Sequence, residues 1–383
     1  MKVLYLSAWY PHRYDAMSGL FVRKHAEAAS RFCDVCVLYL MADEHVNQFD
    51  IVEQSTNSVR EVYVYYPFAK APVFRQLTKA VGYAKAFWRG FAVVRQKFGL
   101  PDVVQANVLT RSGVLAHRLK RKFGIPYIIV EHWTRYLPQN FNYKGIVRKY
   151  LTHICVKNAS CVLAVSNMLR DAMQNCGLKN DNFQIIDNVV DDFFYEAQKS
   201  NTKQQFKFVH ISCFDEPHKN VKGILRAVKN LLQQRVDFEL VIIGIGPDWQ
   251  DVVQYAKELD LPDNIVRFVG EQSPEEVCRY FAESDAFVLF SNYENAPVVI
   301  SESLATGTPV ISTNVGGIPD MVNEQCGILI NPGDESALCE KMSWMIDNKE
   351  VFDATEIRRT AQRFTYDNVG KRLFDIYSAA VKK

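Results

Sequence analysis

No apolar run in this 383-residue chain approaches the roughly 20 residues that a membrane-spanning helix needs, which argues against a spanning segment. The opening Met1-Lys-Val-Leu-Tyr-Leu-Ser-Ala-Trp-Tyr-Pro11 is short and strand-like, unlike a signal peptide. Charge of one sign is also lacking. The formal net charge is +2, whereas a dedicated nucleic-acid binder carries a large basic excess, so no nucleic-acid partner is expected. The nine cysteines run from Cys33 to Cys339 without a paired framework, which fits reduced thiols in a cytoplasmic protein. Cys33 and Cys36 have C-x-x-C spacing, yet no second Cys or His pair completes a zinc site. There is no Asp-x-Asp triplet to bridge a diphosphate through a cation, so no metal is expected. Gly244-Ile-Gly246-Pro-Asp-Trp249 has tryptophan at the third glycine position of a dinucleotide fingerprint, which counts against a nicotinamide enzyme.

What the chain has is alternation. Short apolar strands at Val3–Ser7, Val35–Leu40, Val103–Asn107, Tyr127–Glu131 and Cys161–Ser166 are separated by helical stretches such as Ser18–Arg31. The pattern restarts at Phe208–Ser212 and continues through Phe238–Gly244, Val266–Gly270, Ala286–Phe290 and Pro309–Ser312. Such repeats of βαβ type build parallel sheets, and the length suits two cores of about 150 to 200 residues each. The fold class expected is α/β with two Rossmann-like parallel-sheet domains. The first spans 1–190 and the second 206–365, joined by a polar, aperiodic linker at 191–205. A terminal helix at 366–383 places Val369, Leu373, Ile376 and Tyr377 on one face.

The densest signal is Ser291-Asn-Tyr-Glu294-Asn-Ala-Pro-Val-Val-Ile-Ser-Glu302, where a buried strand gives way to a helix. Asn295, Ala296 and Pro297 form the loop, and the amides around Val298 and Val299 open the helix, a position that binds phosphate in parallel sheets. At 3.6 residues per turn, Glu294 and Glu302 fall on roughly one helix face. Asn314-Val-Gly316-Gly317-Ile-Pro319 adds a second turn on the same edge.

On these residues, with Gly307-Thr-Pro309-Val after Glu302, the chain resembles the family-4 retaining glycosyltransferases (glycosyl transferases group 1) nearly end to end. Asp320 stands where that family usually has Glu after its Gly-Gly turn. The resemblance implies the GT-B arrangement, in which two domains face each other across a cleft and the terminal helix crosses back to the first. It implies that Glu294 contacts the donor hexose and that Glu302 binds the ribose hydroxyls. His132, at the end of the Tyr127–Glu131 strand, matches a histidine touching the donor sugar from the other domain, and Gly19 matches a loop glycine that lets backbone approach the donor. Lys219 matches a cation on the leaving diphosphate, although a solvated loop lysine is the alternative. The Arg expected near Cys213 is missing, which leaves helix N-termini, Arg23 or His218 to balance the phosphate charge. Arg23 also reads as a helix surface charge.

The function implied is transfer of a hexose, with retention and without a metal, from a UDP-, GDP- or ADP-sugar to a hydroxyl of a glycan or lipid-linked saccharide, in bacterial-type surface polysaccharide synthesis. A nucleotide-sugar epimerase and a non-catalytic sugar-nucleotide-binding protein are the alternatives. One segment has a composition of its own: residues 62–101 contain no acidic residue and carry Lys70, Arg75, Lys79, Lys85, Arg89, Arg95 and Lys97. Phe74, Leu77, Val81, Ala84, Trp88 and Phe91 fall there at helical spacing. They pack inward beneath a solvated basic face, or they sit on anionic phospholipid as part of a peripheral contact with the inner face of the membrane.

Overall fold

The computed structural model describes residues 1–69, 71–138, 142–199 and 205–382, with the backbone alone at 72 and 74. The chain forms two units, Met1–Val189 with Tyr366–Lys383, and Val190–Thr365. Lys70, part of the acid-free segment, lies outside the described residues, as does the Phe74 side chain.

The first unit is built on eight strands, β1 (Lys2–Ser7), β2 (Asp34–Ala42), β3 (Asp50–Thr56), β4 (Val59–Tyr66), β5 (Val103–Asn107), β6 (Tyr127–Glu131), β7 (Cys161–Ala164) and β8 (Phe183–Ile185). Their order is β3-β4-β2-β1-β5-β6-β7-β8. Every pairing is parallel except β3 with β4, an antiparallel hairpin at one edge. The central strands β1, β5 and β6 are buried along nearly their whole length, as a parallel sheet covered on both faces requires. The terminal helix Tyr366–Val381 packs on the helix Leu20–Ser30. Gly370 permits that contact, since a Cβ there would lie 2.1 Å from the Ala28 carbonyl oxygen. Residues 366–382 therefore belong to the first unit.

The second unit has six parallel strands, β9 (Phe206–Ile211), β10 (Phe238–Ile243), β11 (Val266–Gly270), β12 (Ala286–Leu289), β13 (Val310–Thr313) and β14 (Gly327–Ile330), in the order β11-β10-β9-β12-β13-β14. Alternate residues feed two cores. Phe208, Leu240, Val288 and Ile311 pack on one face, and Val209, Val241, Phe287 and Val310 on the other. This period of two explains why the strands read as continuous apolar runs.

The expected linker at 191–205 differs in its first part. Asp192–Glu196 is a short helix whose Phe194 is buried against Phe281, so residues 190–199 join the second core, and 200–204 lie outside the described residues. Polar residues on its exposed side hide the Phe193-Phe194 pair that anchors it.

The helix Pro72–Lys97 departs from the first of its two expected readings, inward packing of the larger apolar residues. Gly82 and Gly90 form the close contact: a Cβ would lie 2.6 Å from the Tyr66 ring at the first and 2.5 Å from a Leu38 methyl at the second. Ala86, Phe87, Phe91 and Val94 face the sheet, while Leu77, Val81 and Trp88 are turned outward. Of the described positions expected to share one face, Phe91 alone is fully buried. Glycine lets the helix approach closely, so the packing stripe follows Gly82, Ala86 and Gly90 rather than the larger side chains.

Candidate functional site

In an open parallel sheet, ligands bind beyond the carboxyl ends of the strands where the strand order reverses. In the second unit that point lies between β9 and β12. The segment after β9 carries Lys219, at the end of the short helix Glu216–Lys219. The segment after β12 carries Glu294, four residues before the helix Val298–Ala305. Lys219 Nζ donates to Glu294 Oε1 at 2.5 Å, and Ser291 Oγ donates to the same oxygen at 2.8 Å. The Glu294 side chain is 8% exposed and that of Lys219 16%, so this ion pair is largely withdrawn from water.

Backbone contacts hold the two loops together. Asn292 N donates to the His218 carbonyl oxygen at 2.8 Å, and Thr313 Oγ1 donates to the Ser291 carbonyl oxygen at 2.6 Å. Gly316, at φ +62°, abuts the Glu294 backbone so closely that a Cβ would lie 1.8 Å from its carbonyl oxygen. The second turn of the sequence motif thus supports the first glutamate from beneath. His218 Nδ1 lies 2.9 Å from Asp215 Oδ1. Cys213 is exposed in the loop where an arginine was expected.

Glu294 and Glu302 do not share a helix face in the sense expected, because the helix begins only at Val298 and Glu294 belongs to the loop. Asn295 and Ala296 lie in that loop and Pro297 is the N-cap residue. Val298 and Val299 open the helix, whose first N–H groups have no acceptor within it. Glu302 is half-buried on the following turn. It faces the helix Pro274–Glu283: burial pushes the Cys278 thiol up to about 11, and the Glu302 carboxylate adds to that shift.

In the first unit the strand order reverses between β1 and β5. Gly19 closes the long loop after β1 with φ +62°, and a Cβ there would lie 2.5 Å from the Trp9 carbonyl carbon, so the close approach requires glycine. His132 follows β6. Its ring centroid lies 4.2 Å from that of Phe21 and 5.5 Å from that of His25. Glu131, fully buried, fixes this strand end by accepting from the His132 and Trp133 amides at 3.0 and 2.9 Å, the Leu109 amide at 3.1 Å and the Tyr136 hydroxyl at 3.2 Å. Trp133 is flanked by Trp9 at 5.1 Å and by the Arg135 guanidinium at 3.3 Å.

The sequence reading missed Ser291, Glu131 and Phe21 as supports. It also missed a notch of about 300 Å³ beside the Gly19 loop, lined by His12, Arg13, Arg23, Tyr63 and Tyr65. Within it, Arg23 Nε lies 3.4 Å from Glu61, which settles its charge locally. Tyr63 and Tyr65 signal the notch as alternate aromatics on one strand, but β4 itself was not expected. Among the described residues, no three His, Cys, Asp or Glu side chains converge as a metal site.

Burial lowers the basicity of His25, His132, His210 and His117. His25 and His210 are brought down to about 4, and His132 falls well below the ordinary value, with His25 adding to the effect. An unfolded histidine takes up a proton near pH 6.5, whereas these do not until much lower pH. The stability contribution of His25 and His210 is therefore intact above pH 6.5 and is lost as pH falls toward about 4, at about 1.4 kcal/mol per unit for each of the two. Glu131 and Glu216, whose carboxyls burial raises, oppose this trend. The clean test compares the unfolding free energy of wild type and His210→Asn at pH 6.5 and pH 5.5. The variant should show a shallower slope, and parallel slopes would count against a neutral His210.

Comparison with known proteins follows the same division. Residues 192–363 match the family described as Glycosyl transferases group 1, and residues 23–192 match Glycosyltransferase Family 4. N-acetyl-alpha-D-glucosaminyl L-malate synthase of Bacillus anthracis is 26% identical over 51% of this chain and 52% of its own length, so the chain spans about half of that relative. Alpha-monoglucosyldiacylglycerol synthase of Streptococcus pneumoniae is 22% identical over 77% of this chain and 70% of its own. Anabaena HepE, solved in complex with UDP, superposes with a TM-score of 0.74 at 19% identity, covering 99% of this chain and 100% of its own.

Proposed function

We propose a specific transfer for this protein, which belongs to glycosyltransferase family 4 and has the GT-B fold: a hexose moves, with retention, from a UDP-, GDP- or ADP-sugar to a hydroxyl of a glycan or lipid-linked saccharide. Surface polysaccharide or glycolipid synthesis is the setting that the relatives favour. The observation carrying this reading is the buried Lys219–Glu294 pair at the reversal point of the second sheet, next to the N-terminus of the helix Val298–Ala305.

Chemically, the site must stabilise charge that builds on a departing diphosphate and on an electron-poor sugar carbon. Lys219 and the amides of Val298 and Val299 supply the positive side, where preorganised dipoles act in a partly dry environment. Glu294 is the negative counterpart. It neutralises Lys219, and with donor present the diphosphate takes over that lysine while Glu294 turns to the sugar. Asn295 to Pro297 shape the surroundings, and Glu302 takes the ribose hydroxyls. No step in this scheme needs a divalent cation.

Thermal-shift measurement against UDP, GDP and ADP and their sugars, followed by labelled-donor transfer with and without EDTA, tests the reading. One nucleotide should raise the Tm, and transfer should persist in chelator. The reading fails if no nucleotide stabilises the protein. Glu302→Ala should raise the donor KM about tenfold, the loss of roughly one charge-assisted hydrogen bond. An unchanged KM would remove Glu302 from the donor site.

The acid-free segment 62–101 supports a peripheral contact with the inner face of a membrane. Among the described residues, no helix is long and apolar enough to cross one.

A further inference from the structure

We infer that the first unit docks on an anionic phospholipid bilayer through two projecting helix ends, residues 72–81 and 146–150, and that its acceptor is an amphiphile whose apolar part stays in the lipid. The acceptor half of this inference rests on the proposed transfer; the docking surface stands on geometry and charge.

The helix Pro72–Lys97 outruns the strands it covers. It meets the last residue of β4, Tyr66, at Gly82, and reaches Leu38 and Val64 at Gly90. Residues 72–81 therefore extend about 15 Å past the end of the sheet at 1.5 Å per residue. Val73 is 84% exposed there and Leu77 64%, with Arg75 and Lys79 alongside. A second end projects from the helix Ile146–Asn158. Thr152 Oγ1 lies 3.0 Å from Thr110 Oγ1, and Thr110 caps the helix Arg111–Phe123 at the carboxyl end of β5. The turn before Thr152 stands beyond that level, with Ile146 88% exposed and Val147 71%, among Lys144, Arg148 and Lys149.

The three helices form one layer. Phe91 and Phe123 rings lie 5.7 Å apart, Lys122 Nζ sits 4.6 Å from the Trp88 ring, and the helices Arg111–Phe123 and Ile146–Asn158 are in contact. Each follows a parallel strand, so both projecting ends emerge at the carboxyl edge of the sheet, the edge that also carries His132. Scattered exposed aliphatic residues are ordinary, but four at two tips of one edge are not.

Charge identifies the occupant. From Val62 to Arg170 the chain has 18 lysines and arginines and only two acidic residues, whereas the whole chain holds 45 and 43; Arg95, Lys97, Lys120, Arg121, Lys122 and Lys157 fall in last helical turns at the opposite edge, and the tips themselves carry Arg75, Lys79, Lys144, Arg148 and Lys149 with no acidic residue among them. Of the two acidic residues, Glu131 is buried and Asp102 precedes β5 at the far edge of the sheet. A bilayer receives aliphatic tips below its phosphates and basic side chains at them, each of the latter multiplying affinity by roughly fivefold near an anionic surface. A nucleic acid would engage the basic residues and leave Val73, Leu77, Ile146 and Val147 in water.

The test is co-sedimentation with vesicles of phosphatidylcholine alone and of phosphatidylcholine mixed with phosphatidylglycerol. Wild type should sediment only with the anionic vesicles, and added salt should weaken the binding. Leu77→Asp/Ile146→Asp should reduce partitioning at least about tenfold by placing charge in the acyl boundary. Both substitutions are at exposed sites, and an unchanged nucleotide-induced Tm shift would show that the donor site and the fold persist. Failure of wild type to bind anionic vesicles overturns the inference, as does equal sedimentation of the double variant. Binding to poly(U) RNA that the double variant retains, without vesicle binding, would reassign the surface to nucleic acid. A protein that binds vesicles but no nucleotide would sink the proposed transfer and leave the docking surface standing.

Discussion

Glu294→Gln should lower kcat for sugar transfer by about a thousandfold while donor affinity changes by less than about tenfold. The expected loss corresponds to about 4 kcal/mol of transition-state stabilisation, the scale on which a preorganised charged group acts in a partly dry site. Glutamine keeps the shape and can still accept from Ser291 Oγ and Lys219 Nζ, so the substitution removes charge while preserving packing. Glu294→Ala is the harsher change. It leaves the Lys219 ammonium without its carboxylate in a place where the lysine side chain is only 16% exposed, and breaking such a pair costs about 3 to 5 kcal/mol. Comparing the two variants separates chemistry from stability. Measured transfer by Glu294→Gln within a few-fold of wild type would remove this residue from the reaction.

The second large effect is expected at His132. Its imidazole is buried and held neutral, with Phe21 against its ring and Glu131 fixing the backbone that presents it. A group in that state serves as a neutral hydrogen-bonding partner rather than as a cation, because charging it there means removing an ion from water. His132→Ala should therefore reduce kcat about a hundredfold or more, some 3 kcal/mol. His132→Gln should recover part of the loss, since it offers neutral polar atoms, and His132→Lys should not. A lysine variant more active than the glutamine variant would contradict a neutral role. Circular dichroism and the nucleotide-induced Tm shift serve as controls for folding in the whole series.

Much of the architecture is legible before any coordinates. β5, β6 and β11 begin and end where the expected runs do; β5 and β6 are buried along their whole length, and even the edge strand β11 keeps enough apolar residues to be read. The hairpin of β3 and β4 escaped notice for the converse reason. Residues 51–55 of β3 are exposed, so a free edge strand reads as loop, and β4 carries Arg60 and Glu61 at its start, ahead of its aromatic residues. The short helix Asp192–Glu196 reads as linker in the sequence because five residues are too few to display a period.

At the site, the strand-to-helix motif singled out Glu294, while Lys219, Gly19 and His132 were marked by the resemblance to the family, because a lone lysine, glycine or histidine at a strand end has common structural uses. Their mutual geometry was out of reach. The Lys219–Glu294 pair joins residues 75 positions apart, and β9 and β12 lie side by side only because the order of the second sheet reverses between them. Likewise, helical spacing could group Leu77, Val81 and Trp88 on one stripe but could not say which way the stripe faced. Periodicity along a chain records which residues share a face, and that information is local. Which face meets the sheet depends on how closely two backbones can approach, and here Gly82 and Gly90 set that distance through contacts with β2 and β4, strands more than twenty residues removed from Gly90.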